Sequence, residues 1–516
     1  MATRKSTGAK IQTPSGEYSA AELQNILMQR DEERQKEVFK AISNLQLVNL
    51  SRDRNRTFTA FDKSRLRTFM RNPKQNQNNL IQLSWFLYRM CYPYRRIVWY
   101  YATMPKLNAI SIAPIRDITK EMTDAVRKKI RKSYYNTAKE IQKMDLPHTM
   151  LPLLVQAWVQ DVAYGYVYDD NDSFFIHCMP YEYCKISSID RGVFRYAFDF
   201  SYFERYEDDL EYWASEFKTK YRKYMRDRQN YRWQELDYKK QICLKINVDD
   251  PTLSIPPMAG IFESLIDNVD LQSIQNVKDE LSIYKLLVAR LEPLSGTKSP
   301  DDFSVDVKTA IKYYDKLKAE LPPEIGFAIS PLDIVPIEFN PNTTADADMI
   351  SISTRNLFKN AGGANVLYSD ATNSTLILAQ MKADAEAALS SLLPQIQKWT
   401  NVWLTDNVGK DHASVIFMRV SPYTIEAKKD ELLKSAQYSL PVAMAVGALD
   451  GFTPLEMIAL GELENDVLDI RVSWKPLQSS HTQSGSSVGS DVDPGVGGRP
   501  QSDELTDEGE RTRDSK

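Results

Sequence analysis

Four histidines (His148, His177, His412, His481) and four cysteines (Cys91, Cys178, Cys184, Cys243) carry the most versatile chemistry in this 516-residue chain. Zinc needs Cys and His at short spacings, and no CxxC or HxxxH pair is present. His177 beside Cys178 is the sole local pairing and too little for a site. In a long chain the thiols are expected to be reduced and partly buried rather than a disulfide scaffold. "DDNDS", Asp169 to Ser173, suggests calcium by composition but lacks the EF-hand spacing and its terminal Glu. Between two strand-like runs it reads as a hairpin turn. The acid pairs Asp208–Asp209 and Asp249–Asp250 read as solvated surface charge, because carboxylates do acid–base work where their environments separate their pKa values. No GxxxxGK[ST], GxGxxG, HExxH or GxSxG occurs, and "VGKD" lacks the upstream glycine of a P-loop. The chain is therefore expected to be no enzyme and to use no metal or cofactor.

Length allows several packed units at about 100–200 residues each. Hydrophobic residues are 42% and charged residues 26%, enough to bury a core. A net charge of −4 predicts no bulk attraction to nucleic acid, so any contact with DNA must use local patches. The N-terminus "MATRKSTGAK" has no apolar signal region, and no run approaches the roughly 20 apolar residues of a membrane span. "SLPVAMAVGALDGF" is broken by Pro441, Gly447 and Asp450. A soluble protein made in a cytoplasm is expected.

The elements that must position any site read as a mostly helical α+β chain. Residues 1–20 are polar and expected to be loose. Helices are expected at Ser19–Leu47, across the aromatic run 80–105 with a kink or break at Pro93, at Thr119–Met144 and at Leu151–Ala163. Four short runs rich in Tyr, Phe, Val and Ile follow ("YGYVYDD", "SFFIHCMP", "YCKISSI", "VFRYAFDF") and read as strands. A single charged helix over "EDDLEYWASEFKTKYRKYMRD" and a strand over "KKQICLKINVD" come next. Pro256 and Pro257 suit the start of a helix running to Ser282, with Glu263 and Asp267 early, where the helix dipole favours acids. A small α/β piece ("YKLLVARLE", "SVDVKTAIKYYDKLKAEL", "GFAIS", "IVPIEF") precedes a short helix, the loop "GGANVLYSDATNS" and a long helix, Thr375 to about Leu404, containing Pro394. A strand, Ala413–Val420, and two helices close the ordered part. From Ser479 the Gly/Ser/Asp-rich tail cannot bury enough surface to offset its ordering entropy and is expected to be disordered.

From Ile255 to Leu404 the order is helix, small α/β insertion, short helix, Gly/Asn-rich loop, long helix. This order resembles the stem, clip, stem and tunnel loop of bacteriophage portal proteins. "YGYVYDD…FFIHCMPYEYCKISSIDRGVFRYAFDFSYF" is similar to the β-rich part of the portal wing, and "AGGANVLYSDATNSTLILAQMKADAEAALSSLLPQIQKWTNVWL" to the tunnel loop and kinked wing helix. The likeness spans roughly residues 80–470 and lies in the order of the pieces, not in one motif. It implies a portal-type subunit with these parts: an N-terminal polar and basic arm and helix (1–80), a wing (81–254), a stem helix (255–282), a clip (283–345), a second stem helix (346–361), a tunnel loop (362–374), a kinked wing helix, strand and crown-like C-terminal helices (375–472), and an acidic tail (473–516).

The resemblance further implies a homo-oligomeric ring, a dodecamer, at one capsid vertex of the virion, assembled in the host cytoplasm. Double-stranded DNA would pass through its channel during packaging and ejection. Terminase, the major capsid protein, scaffold and head–tail adaptor proteins would be its partners. Stem acids Glu263, Asp267, Asp270 and Asp279 would give a negative lumen that repels phosphates, so that DNA slides; an ordinary wet amphipathic face is the alternative. Tunnel-loop residues Gly362, Gly363, Asn365, Ser369, Asn373 and Ser374 would touch passing DNA weakly, while Asn373 or Ser374 also suits a helix cap. Lys308, Lys312 and Lys316 share one helical face and would meet an acidic partner, or only solvent. Arg52 to Lys74 is a basic, aromatic segment for DNA, scaffold or a neighbouring subunit. Two other classes stay open: another virion component of capsid or tail, and a diverged nucleic-acid-processing enzyme.

Overall fold

The computed structural model describes residues 10–44, 63–116, 119, 121–268, 285–290, six positions from 308 to 316, 325–330, 352–358, 374–409 and 411–469. Within residues 1–20, expected to be loose, the described part instead forms a hairpin, β1 (Ile11–Thr13) with β2 (Gly16–Tyr18). The Ser15 N–H and hydroxyl tie it down, donating to the Glu211 carbonyl at 3.1 and 2.8 Å. Helix α1 (Ala20–Asn44) opens on a reciprocal cap. The Ser19 hydroxyl accepts from the Glu22 N–H at 3.2 Å, and the Glu22 carboxylate accepts from the Ser19 N–H at 2.9 Å. Ala20, Leu23 and Leu27, three and four apart, bury one stripe.

Helix α2 (Lys63–Arg71) precedes α3 (Gln77–Met90) and α4 (Tyr92–Ala102). The expected break near Pro93 falls at Cys91, and Pro93 sits in the first turn of α4, where its missing N–H costs nothing. Strand β3 (Ile110–Ala113) was not foreseen. Helix α5 (Asp124–Met144) is capped by the Thr123 hydroxyl, which accepts from the Val126 N–H at 3.4 Å. Helix α6 (Leu146–Gln160) starts before the expected Leu151, with Pro147 in its first turn and Pro152 inside. It ends at Asp161, held at φ 74°, so Ala163 belongs to the next strand rather than to this helix.

Strands β4 (Val162–Asp169), β5 (Phe174–Cys178), β6 (Cys184–Asp190) and β7 (Val193–Asp199) are followed by the one-turn α7 (Tyr202–Arg205). The charged segment expected as one helix is broken. A 3-10 turn at Glu207–Glu211 precedes α8 (Ser215–Arg226), and Trp213 is buried at the break. Strands β8 (Trp233–Glu235) and β9 (Gln241–Lys245) complete two antiparallel sheets, ordered β5-β4-β9 and β6-β7-β8. The period of two in β4 divides two cores. Ala163 and Val167 join a core with α3, α4 and α6, while Tyr164, Tyr166 and Tyr168 join an aromatic core with Phe198, Trp213 and Phe217. Gly165 sits where α6 approaches the sheet. The "DDNDS" turn forms as expected: the Asp170 carboxylate accepts from the N–H groups of Asp172 and Ser173 at 2.8 and 2.6 Å, and from that of Ala20 at 2.8 Å.

Helix α9 (262–268) starts later than the expected Pro257, after a turn in which the Ala259 N–H donates to the Pro256 carbonyl at 2.9 Å. Strands β10 (Lys285–Arg290) and β11 (Ile325–Ser330) pair in parallel. Parallel neighbours need a crossover, and α10, described at six positions from 308 to 316, lies between them in sequence. Helix α11 (352–358) is followed by α12 (Ser374–Asn407), which contains Pro394. Strand β12 (Ser414–Phe417) pairs antiparallel with β3. Three helices then follow where two were expected: α13 (Ile425–Gln437), α14 (Ala443–Leu449) and α15 (Pro454–Glu462). The whole is the mostly helical α+β class expected.

Helix α12 holds the edges of two sheets with side-chain amides. A carboxamide offers the same donor and acceptor as a peptide group. The Gln395 amide accepts from the Lys245 N–H at 3.1 Å and donates to the Lys245 carbonyl at 2.6 Å, capping the edge of β9. The Asn401 amide does the same to Val415 of β12, at 2.8 Å each way. The Trp399 indole donates to the Gln241 carbonyl at 2.8 Å. The chain divides into a body, Met1–Met457, and a second unit, Ile458–Lys516. Described to Asp469, the second unit continues as helix and a wider turn at Leu463–Val467. No single helix among the described residues is long and apolar enough to cross a membrane.

Candidate assembly surface

The candidate site is the junction where α9 and α11 pack into the main core. Phe262, Leu265 and Ile266 bury one side of α9, and the Phe262 ring meets Tyr94 edge-on at 5.7 Å. Leu357 and Phe358 bury α11 in the same core. The Asn268 amide, at the last described position of α9, donates to the Thr354 hydroxyl of α11 at 2.9 Å. The two helices are therefore side by side, with β10, α10 and β11 between them in sequence.

The acids proposed for a channel wall divide here. Glu263 is half-buried and ion-paired with Arg67 of α2, whose Nε donates to it at 3.0 Å. Its hydrogen bond, and then the charges of Glu263 and Asp267, raise the pKa of Arg67. Both acids thus face basic α2. A groove of about 260 Å³ lies beside the pair, lined by Leu66, Arg67, Met70, Arg71, Gly260 and Glu263 among others. Asp270 and Asp279 lie outside the described residues. Lys308, Lys312 and Lys316 are all exposed on α10. Gly362, Gly363, Asn365, Ser369 and Asn373 lie outside the described residues; Ser374 is the first residue of α12.

Behind the junction sits an ion pair that sequence reading missed. Lys245 and Asp161 are fully buried, with Nζ 2.5 Å from Oδ2. Nζ also donates to the Leu253 carbonyl at 2.8 Å, and Asp161 Oδ1 accepts from the Asn247 N–H at 2.9 Å. Burial raises the Asp161 pKa, with Lys245 and Asn247 pulling the other way. The pair fixes the start of the 246–261 segment that leads into α9. Its one sequence signal is a lysine inside the apolar strand "QICLKI".

A second network docks α1 on the aromatic core. Asp31 lies 3.1 Å from the buried His177 ring and 3.1 Å from the Arg34 guanidinium. Burial pushes the Asp31 carboxyl up, but His177 and Arg34 outweigh it and hold the pKa below the usual carboxylate range. Tyr202 OH donates to Asp209 at 2.5 Å and accepts from Arg34 at 3.3 Å. Apart from His177 Nδ1, which is buried without a partner, these polar groups bond to one another within the fold, which is the pattern of a structural lock. Among the described residues no group of three His, Cys, Asp or Glu could hold a metal ion. The four cysteines are free thiols.

Two exposed faces carry large apolar side chains. On α3 and α4, Met90, Tyr92 and Trp99 are exposed, and Arg95 lies 5.9 Å over the Tyr88 ring. Aromatic and arginine side chains of this kind dominate interface energies. On α13 and the turn after it, Leu433, Tyr438 and Leu440 are exposed, Tyr438 at 82%.

No protein-family model matches the chain, and no curated protein matches its sequence. Among solved structures it is similar to a chain of the "Virion of native gene transfer agent (GTA) particle", at TM-score 0.36 and 12% identity, covering 70% of this chain and 89% of that one. It is also similar to a chain of the "Neck of empty GTA particle computed with C6 symmetry", at TM-score 0.37 and 13% identity, covering 68% and 88%. At TM-scores this low, neither likeness carries an argument about function.

Proposed function

We propose that the chain is a non-enzymatic virion structural protein of the portal class, which assembles as a ring around a channel for double-stranded DNA. One observation carries the reading: α9 and α11 lie side by side, pinned by Asn268 and Thr354, and the parallel β10–α10–β11 piece falls between them in sequence. That order supports the stem–clip–stem reading. Helix α12, with Pro394 inside, then packs along β9 and β12. The exposed aromatic and arginine side chains of α3 and α4 supply the kind of surface that neighbouring subunits bury.

In this reading the ring is a dodecamer at one capsid vertex. The exposed Lys308, Lys312 and Lys316 face meets terminase during packaging and a head–tail adaptor afterwards. Residues 362–374 reach the channel as the tunnel loop, and the major capsid protein and scaffold surround the wing. Glu263 serves the Arg67 pair instead of a bare negative wall, so the repulsion of phosphate falls to Asp270 and Asp279. Sedimentation of the purified full chain tests the proposal: one large species of fixed subunit number is expected, and a strict monomer at high concentration overturns it.

A further inference from the structure

The exposed side of α5 answers to none of these roles. Lys128, Arg131, Lys132, Tyr135 and Lys139 recur at helical spacings of three and four and are all exposed. Ser133, Thr137, Ile141 and Met144 bury the opposite side. Arg127 extends the stripe at its N-terminal end. Asp124, in the first turn, is an acid on the same face. Glu140 turns away to pair with Lys143 at 2.8 Å. Only Lys132 of the stripe forms an ion pair among the described residues, with the half-buried Asp411 at 2.8 Å.

A face that served only solubility would alternate its charges. Here Arg127 faces Arg131 and Lys128 faces Lys132 at i,i+4, contacts that cost helix stability. With a net charge of −4, the chain as a whole gains nothing in bulk DNA affinity, so the concentration of cations on one helix is local. From Lys128 to Lys139 the stripe is about 16 Å long at roughly 1.5 Å per residue. One strand of duplex DNA carries a phosphate about every 3.4 Å of axis, so the stripe spans about five phosphates, of which its four cations, Lys128, Arg131, Lys132 and Lys139, can meet about three or four. An acidic protein segment is the poorer fit, because protein interfaces bury apolar side chains and this face offers only Tyr135.

We propose that the exposed face of α5 is a sequence-independent binding site for the phosphate backbone of duplex DNA. The site is on the body of the chain, is distinct from the proposed channel loop, and does not depend on ring formation.

The test is fluorescence anisotropy of the full chain with a labelled random-sequence duplex, titrated over salt. The wild type is expected to bind with a log–log salt slope of about −3, and the triple variant Lys128→Gln, Arg131→Gln, Lys139→Gln to lose most of that slope and at least about tenfold in affinity at low salt. A second triple variant, Arg222→Gln, Lys223→Gln, Arg226→Gln, removes the same charge from the exposed face of α8 and is expected to bind as the wild type does. Equal losses in both variants would show a bulk-charge effect and overturn the proposal. So would no binding at low salt, or binding to polyglutamate as tight as to the duplex, which would point to an acidic protein instead. A chain that forms rings but fails here sinks this inference alone; one that binds DNA through α5 yet stays monomeric sinks the portal reading alone.

Discussion

Replacing Lys245 by methionine keeps most of the apolar stem of the side chain and removes its charged amine. Asp161 is then left in a fully buried site with its Oδ2 partner gone, and the Leu253 carbonyl loses its donor. Breaking one partner of a buried pair costs about 3–5 kcal/mol, because the remaining charge has no water to turn to. The Asn247 N–H still reaches Oδ1, which places the loss toward the lower end. The double variant Lys245→Met, Asp161→Asn removes both charges while the amide keeps an acceptor for Asn247, and should recover most of the loss. Urea unfolding reports both, with buried Trp158, Trp399 and Trp403 as fluorophores. The reasoning fails if Lys245→Met unfolds at the wild-type urea concentration, or if the double variant is no more stable than the single.

Three further outcomes follow from packing and titration. Alanine at Gly165 places its Cβ 2.5 Å from Ile176 Cγ2 and 2.6 Å from Ile242 Cγ2 in the central strand, so Gly165→Ala should destabilise by about 1–3 kcal/mol; at Gly447 the obstacle is the flexible end of Met457, so Gly447→Ala should unfold near the wild-type urea midpoint. Burial pushes the thiol of Cys91 up to about 11 and that of Cys178 up to about 12, so iodoacetamide at pH 8 should leave both unmodified in the native protein and label them in urea. Asp170 is raised by burial, but the N–H groups of Ala20, Asp172 and Ser173 outweigh this and lower its pKa below 3.8. Its stabilisation is therefore full above that value and lost as pH falls through the lower folded value. Asp170→Asn should flatten the acid limb of a stability–pH profile, and an unchanged limb would count against the assignment.

The β region was legible because "YGYVYDD" and its neighbours are short runs rich in Tyr, Phe, Val and Ile, separated by Asp, Asn and Gly, and the Asp/Asn/Ser turn between the first two runs has only one economical use. The start of α6 was obscured by Pro147 and Pro152, whose places in the first turn and inside the helix depend on packing against α3 and α4 rather than on local propensity. Gln395 and Asn401 look like ordinary helical polar residues. Their roles depend on strands that are 150 and 14 residues away in sequence, and the edge groups they satisfy exist only once the sheets form. Lys245 was hidden by its type, since a lysine is read as surface until its partner is known. The candidate surface was legible as an order of elements. Which acid remains available was not, because the pairing of Glu263 with Arg67 joins residues far apart in the chain.

Electron-microscope imaging of the purified full chain tests the central claim most directly. The account expects closed rings of one subunit number, each with a central hole wide enough for a DNA duplex. Single subunits, or open filaments without a closed ring, at the highest attainable concentration would contradict it.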